Sequence, residues 1–526
     1  MNSLNVLLVT CSSVALEWQN DSAYYSPKPY TVFLDGKEVL KSNTNVFSLF
    51  NLIPDCEYTL TTDMTNEIIT FRTLKASTSV SVLDFGARAN GKDEDTVAIQ
   101  TAIHCLPKDA RLVFPTGTYL TAPLCLKSHI TLEFQEGATL LGVSERKKYP
   151  VIPGEMSDLV RGETIHFGTW EGEAVPMHQS LLFAEYAEDI TIIGQGVIDG
   201  NGQNSLWWSE RKNYPIARPR LVFFNRCDKI IMHGITLQNS PSWSLHPYFS
   251  SNIDILGLKV FAPNDSPNTD AIDPESCDGV NIIGCQLSVG DDCIAIKSGK
   301  IEIAKRFERS ASRHTIRNCL MQHGHGAITL GSEMAGGVNK LCVSQCRFEN
   351  TDRGLRIKSR RGRGKLAVID GVVFENLLMD GVKTPIVMNM WYNCCDPDRD
   401  SEYVWSREYL PVDDLTPYLG EFTFKNMQCL NCEAAACYCD GLPEMPIKSI
   451  TLQNIYFNYC ENAKPSKPAM RAFIEDFCKC GMYFDNVVHL TLDNVILEGA
   501  IGDPLIAKHV GTIEQKNNDF RTSLQK

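Results

Sequence analysis

Residues 229–240, KIIMHGITLQNS, and residues 252–263, NIDILGLKVFAP, share one pattern. Apolar residues alternate with polar ones, a glycine interrupts, and another apolar pair follows. DITIIGQGVIDG (189–200) and GVNIIGCQLSVG (279–290) repeat it, and KSITLQNIYFN (448–458) and HLTLDNVILEG (489–499) carry Asn at the break. Alternation reads as strand, and Gly or Asn at the break reads as a tight bend, often with positive φ. Neighbouring copies begin roughly 23 to 40 residues apart, a solenoid period. One unit cannot bury its apolar face alone, but stacked copies can, each strand pairing with its equivalent one coil on. The pattern predicts an all-β chain built on a parallel β-helix. A large β-sandwich would instead show frequent hairpin turns and no fixed motif.

The solenoid pattern covers residues 80–520, and residues 1–75 read differently. Leu8, Val14, Leu16 and Trp18 alternate with polar neighbours, as do Tyr30, Val32 and Leu34. Asp35-Gly36 then supplies a hairpin turn before Val39. Val46 to Phe50, Tyr58 to Leu60, and Ile69 with Phe71 read as further short strands, so a small β-sandwich is expected. Trp18 in an early strand and Leu52-x-Pro54-x-x-x-Tyr58 leading into a late one resemble a fibronectin type III module, with the Tyr58 hydroxyl tying down a corner. Lys75 to Ser79 is a short polar linker. Between the two units, Ile99, Ala102, Ile103 and Leu106 share a helix face, with Asp93 or Asp95 as its cap. A single helix before so much strand reads as a plug over the end of the solenoid.

The chain of 526 residues carries 50 Lys+Arg against 63 Asp+Glu, a net charge of −13, which argues against a duplex-coating nucleic-acid binder. No run of about 18 apolar residues occurs, so no membrane span is expected. The opening MNSLNVLLVTCSSVALEW lacks a basic region and runs directly into strand alternation, so a cytoplasmic location is expected. The 20 cysteines are too dispersed for a small disulfide scaffold, and many lie in apolar stretches where a thiol acts as a small hydrophobe. Cys429-x-x-Cys432 resembles half a zinc site, but Cys437 and Cys439 are one residue apart rather than two; buried or loop thiols are the competing reading.

In a parallel β-helix, equivalent positions on successive coils lie about 4.8 Å apart, so polar residues recurring coil after coil form a site. Such a set runs Asn268-Thr269-Asp270, Gly290-Asp291-Asp292, Gly324-His325-Gly326, Arg356-Ile357-Lys358, and then Tyr392. Three carboxylates with a His and two cations fit glycoside cleavage, which needs a proton for the leaving oxygen and a carboxylate to activate water or attack carbon. Clustered Asp residues raise one another's pKa, so one stays protonated while another ionises. Adjacent Asp291 and Asp292 reach one cleft only if the chain bends there, which Gly290 permits. RGLRIKSRRGRGK (353–365) holds seven basic residues and no acid. Arg356 and Lys358 flank Ile357 with period 2 and so share a face, whereas Arg360 to Lys365 also read as a solvated loop. A carboxylated sugar polymer fits the cations and the Asp trio.

NTD, GDD, GHG and RIK in this order, followed by the Tyr, resemble the polygalacturonase family of pectin hydrolases, glycoside hydrolase family 28, over roughly residues 80 to 500. The resemblance implies a right-handed parallel β-helix that hydrolyses α-1,4-galacturonosyl linkages with inversion and without a metal or other cofactor. It implies Asp291 as general acid, Asp270 and Asp292 as the pair holding and deprotonating water, and His325 as a support for the acid. Arg356, Lys358, Tyr392, Asn268 and Trp243 would bind substrate, a galacturonate polymer or oligomer. Inversion carries an expected separation of about 6.5–9.5 Å between acid and base carboxylates.

RIKSRRGRG (356–364), NSPSWSLHP (239–247), GLPEMPI (441–447) and the N-terminal module resemble bacterial exo-polygalacturonases. Val143 to Gln179 and Leu206 to Arg220 are long inserts, and such loops in a solenoid are usually functional. Exo-action on imported short fragments is therefore expected. Trp207, Trp208 and Trp243 offer sugar-stacking faces or packing at a coil edge. The alternatives are endo-action, a rhamnogalacturonan or xylogalacturonan hydrolase of the same fold, a calcium-dependent lyase, and a non-catalytic carbohydrate-binding β-helix.

Overall fold

The computed structural model describes residues 3–158, 160, 162–210, 215–393 and 402–523. Seven strands build the N-terminal unit: β1 (Ser3–Val9), β2 (Val14–Gln19), β3 (Tyr25–Leu34), β4 (Lys37–Thr44), β5 (Val46–Leu49), β6 (Glu57–Thr62) and β7 (Ile69–Arg72). They form two antiparallel sheets, ordered β1-β2-β5 and β4-β3-β6-β7. Trp18 is fully buried in their shared core with Tyr30 edge-on at 5.6 Å. Asp35 (φ 49°) and Gly36 (φ 76°) make the β3–β4 turn, where two left-handed residues match the twist of a tight hairpin. The Tyr58 hydroxyl accepts the Ile53 N–H at 2.8 Å, fastening the corner before β6.

The remainder is a parallel β-helix. Ile190, Ile230, Ile253 and Val280 pair in register from coil to coil, all pointing into the apolar core. His314 takes the next place in that row, buried, with Nε2 3.2 Å from the Cys277 carbonyl; burial pushes its pKa down to about 4, so it stands there as a neutral ring. The Asn residues at the later breaks do more than turn. Asn376, Asn426, Asn454 and Asn494 have φ between 54° and 56°, and each amide bonds the next at 2.9–3.1 Å. This ladder satisfies polar groups in these four later bends.

α1 (Thr96–Cys105) buries Ile99, Ala102 and Ile103 against the first coils, as a plug should. Its capping differs from the expectation. Asp95 occupies the cap position, but its carboxylate accepts from the Arg88 and Ala89 N–H groups (2.7 and 3.0 Å) and bonds no helix amide. The chain entering the helix had a nearer claim on it. Cys429, Cys432, Cys437 and Cys439 are all buried in the apolar core, where a thiol packs as a small hydrophobe. Among the described residues, the groups of three or more potential ligands whose atoms lie within 4.8 Å of one another contain no cysteine, which favours the buried-thiol reading. Cys394 and Cys395 lie outside the described residues.

The sandwich lies along one row of coil bends. His233, Leu256, Ile283 and Arg317 are register partners on successive coils. Phe50 stacks on His233 at 4.9 Å, and Val46 packs with Leu256 and Ile283. Glu17 receives Arg317 through two bonds of 2.7 and 2.9 Å and a third from Asn318 at 2.8 Å. Removing one partner strands the other in a largely dry interface. Glu17→Ala is expected to lower the apparent melting temperature, and a calorimetric double-mutant cycle with Arg317→Ala should return a coupling of roughly 1–3 kcal/mol.

Candidate active site

The site forms on neighbouring rungs of successive coils. Ser244 N–H donates to the Asp270 carbonyl, Ala271 N–H to the Asp292 carbonyl, His325 N–H to the Asp291 carbonyl, and Ala327 N–H to the Arg353 carbonyl, at 2.8–3.1 Å. These backbone bonds bring segments far apart in sequence onto neighbouring rungs. Asp270, Asp291 and Asp292 each present a carboxylate oxygen within 4.8 Å of the other two. With His325, Arg356, Lys358, Tyr392, Asn268 and Trp243 they line one cleft of about 490 Å³. The ordered motifs therefore do converge.

Asp292 is the anchor. It is 1 % exposed, its Oδ1 accepts from Arg356 Nη1 at 2.8 Å, and its Oδ2 accepts from Lys358 Nζ at 2.9 Å. Burial alone would raise its pKa, but Lys358 and Arg356 reverse that and hold it well below the usual carboxylate range. Thr329, which pairs with Arg356, lies on the rung between. Gly326 makes this reach possible, because a Cβ there would stand 2.4 Å from Thr329 Oγ1, 2.9 Å from Asp292 Oδ1 and 3.3 Å from Arg356 Cδ. Gly290 also acts by close approach, since a Cβ would stand 2.3 Å from the Ser266 carbonyl oxygen; its φ is not in the left-handed region. The bend that brings both Asp residues to the cleft is thus a matter of packing against the Asn268 loop.

Asp270 is buried, and its Oδ1 has no hydrogen-bond partner among the described residues. Burial first, then Asp273 and Asp291, raise its pKa well above the ordinary value. Asp291 is more open; its Oδ1 accepts the Asp292 N–H at 3.0 Å and lies 3.2 Å from His325 Nδ1. His325 is half-exposed at the mouth, and its bond to Asp291 raises its pKa despite partial burial.

The cluster is tighter than the 6.5–9.5 Å of the usual inverting pair. That wider spacing leaves room for water between an acid and a base on opposite faces of the sugar. Here a water about 2.8 Å from an oxygen of each of two carboxylates fits within the trio itself.

At three places the structure decides between readings that the sequence left open. Trp243 is 3 % exposed, and its ring is enclosed by Trp170 (6.1 Å, near-parallel), the Arg220 guanidinium (4.0 Å) and the Lys297 ammonium (4.4 Å), so it offers no free face to a sugar. Trp207 is likewise packed, against Tyr149 and Arg146. The 360–365 segment is no simple solvated loop: Arg361 is buried, pairs with both Glu444 oxygens (2.6 and 2.9 Å), and caps the Tyr403, Ser406 and Glu408 carbonyls. Lys365, by contrast, is exposed beside Asp414. Asn268 Oδ1 accepts from Arg218 Nη2 at 2.5 Å, which leaves its amide N–H groups for a ligand.

Sequence reasoning missed a buried floor under the trio. Lys297 Nζ donates to Glu333 Oε2 at 3.1 Å and lies 3.6 Å from Asp273 Oδ1. Burial drives Asp273 up to about 7 even though Lys297 and Arg220 pull it down. Asp273 and Lys297 each stand a few residues beyond a motif already noticed, in NTDAID and GDDCIAIK, which was the available signal.

Fold and site together define a carbohydrate-cleaving parallel β-helix. The family model "Glycosyl hydrolases family 28" matches residues 160–459, and "Rhamnogalacturonase A/epimerase, pectate lyase-like" matches residues 79–159. A Vitis vinifera "Probable polygalacturonase" is 31% identical over 396 residues, 73% of this chain and 75% of its own. An "Endo-polygalacturonase" of Pectobacterium parmentieri is 26% identical over 378 residues, 68% of this chain and 84% of its own. In fold, the chain is similar to the Yersinia enterocolitica family 28 exopolygalacturonase, with a TM-score of 0.70 over 98% of both chains at 20% identity. The protein belongs to glycosyl hydrolases family 28 and is a glycosidase.

Gly326→Ala tests the anchor. The added methyl pushes Asp292 away from Arg356, and kcat is expected to fall on the order of 100-fold while far-UV dichroism stays unchanged.

Proposed function

We propose that the protein hydrolyses α-1,4-galacturonosyl linkages of polygalacturonate and its oligomers, and that it attacks from a chain end. The observation that carries the chemistry is the carboxylate trio within 4.8 Å beside two cations in one cleft. Asp291, the most accessible of the three, donates its proton to the leaving oxygen. Asp270 and Asp292 hold a water between them. With both oxygens engaged by Arg356 and Lys358, Asp292 is a poor covalent nucleophile; water attacks carbon directly and gives its proton to the Asp270–Asp292 pair as the glycosidic C–O bond breaks. The configuration is thereby inverted. Lys358 and Arg356 keep unused donors after serving Asp292, and these bind the substrate carboxylate next to Tyr392, whose ring lies 5.8 Å from Lys358 Nζ. His325 orients the Asp291 carboxyl.

Attack from a chain end is supported by the hairpin Thr169–Trp170/Glu173–Ala174, which stands where the cleft meets a second cavity. Chromatography of early products from polygalacturonate tests the mode: mono- or digalacturonate alone fits chain-end attack, and a ladder refutes it.

Asp291→Asn is expected to abolish turnover while oligogalacturonate binding by calorimetry survives; near-normal activity would refute the acid assignment. Lys358→Ala should raise KM more than it lowers kcat. Full activity in chelator, without unsaturated products absorbing in the ultraviolet, separates hydrolysis from calcium-dependent elimination.

A further inference from the structure

The cleft meets a second cavity of about 420 Å³, and the two share Glu171 and Asn268 in their walls. Glu171 sits at the tip of the 169–174 hairpin, exposed, with φ 48°. The tip is firmly held. Lys300 N–H donates to the Gly172 carbonyl at 3.2 Å, and Lys300 Nζ pairs with Glu173 Oε1 at 2.7 Å. Gly172 lies so close to the opposite wall that a Cβ would stand 2.7 Å from Lys300 N and 2.8 Å from Glu333 Cγ. On the near side, Trp170 lies on Trp243, and the Thr169 carbonyl accepts from Arg220 Nη2 at 2.9 Å. A hairpin pinned at both flanks fixes the carboxylate at its tip.

The charge arrangement gives that carboxylate a task. Arg356 and Lys358, the cations proposed to bind uronate, lie beyond the Asp trio on the later coils. Glu171 lines the same cleft from the hairpin. In the second cavity the positive groups are already engaged: Arg146 with Glu210, Lys300 with Glu173, and Arg218 with Asn268 and two proline carbonyls. A galacturonan that continued past the hairpin would bring a carboxylate against Glu171, where each cation among the described residues of the cavity already holds a partner. A chain that stops there presents hydroxyls, which donate to a carboxylate and accept from the Asn268 amide.

We propose that Glu171 is a specificity-determining residue that reads the end of the sugar chain, accepting hydroxyls of a terminal residue and repelling the carboxylate of a further one. This deepens the chain-end reading above and rests on it. The terminus is either the reducing or the non-reducing one, since both carry hydroxyls, and reducing-end-labelled trigalacturonate tells them apart by which product keeps the label.

The experiment compares wild type, Glu171→Gln and Glu171→Lys on polygalacturonate and on labelled trigalacturonate, reading product lengths and kcat/KM. Glu171→Gln keeps the shape and removes the charge; Glu171→Lys converts repulsion into attraction. The expected result is a wild type that releases one product length, and variants that release longer products from the polymer. The ratio of kcat/KM on polymer to that on trimer should rise about tenfold for Glu171→Gln and further for Glu171→Lys. Variants with wild-type product lengths, or with equal losses on both substrates, would overturn the role of Glu171 while leaving chain-end attack intact. A wild type that produces a ladder would overturn the chain-end reading and this proposal together, and release of no reducing ends would sink the hydrolase reading itself.

Discussion

A single buried carboxylate ties the active cleft to the fold. Asp292 is almost wholly removed from water, a state a lone anion does not tolerate. It is stable because Arg356 and Lys358 arrive at 2.8 and 2.9 Å from a coil that parallel stacking carries alongside, over a rung where residue 326 has no side chain. The dependence runs both ways. The two cations sit on a strand whose alternate residues Leu355 and Ile357 are sealed in the core, so they have little freedom to move away. The ion trio is best understood as a positioning device: breaking it leaves an uncompensated charge, whereas its net contribution to stability is small.

The rest of the cleft follows from that fixed anion. Asp270, sealed from water with Asp273 beside it, has its pKa driven up, chiefly by burial, and Asp291 lies nearer solvent, bonded to His325. The floor beneath adds a graded counter-charge. Lys297 is buried, yet Glu333 and Asp273 raise its pKa against the effect of burial, so a positive centre persists below the trio. Three carboxylates this close, with one locked ionised by two cations, are driven toward separate roles by their environment.

How much of this was legible in the sequence depends on how each residue was specified. The solenoid was readable because stacking forces repetition: each coil must place aliphatics at the same phase, and Ile190, Ile230, Ile253 and Val280 do. The Asp trio, His325, Arg356 and Lys358 were readable for the same reason, since a cleft that runs along the stack appears in the chain as an ordered set of motifs. What failed to read were residues whose environment is built by inserts. Trp243 lies in a promising motif, but Trp170 and Arg220, which enclose it, come from segments with no fixed phase relative to the coils. Arg361 looks like one more cation in a basic run, and only Glu444, distant in sequence, makes it a structural bolt. Asp95 had the position of a cap, but the folded backbone offered it better donors.

The same division separates chemistry from the length of sugar that can enter. Coil register is set by backbone bonds and a continuous apolar core, so the catalytic groups cannot be rearranged without disturbing the stack. The hairpin at residues 169–174 contributes no rung to the main sheet, and its tip is held by a few contacts to Lys300 and Glu333. Such an insert is free to change in length and charge while the trio stays where it is. Glu333 links the two regimes. It bonds Lys297 in the floor and backs the hairpin tip at Gly172, so the wall that bounds the cleft is braced against the network that holds its charge. A hairpin resting on that network keeps its tip in register with the catalytic groups, as a residue that measures where a sugar chain ends relative to the bond being broken must be.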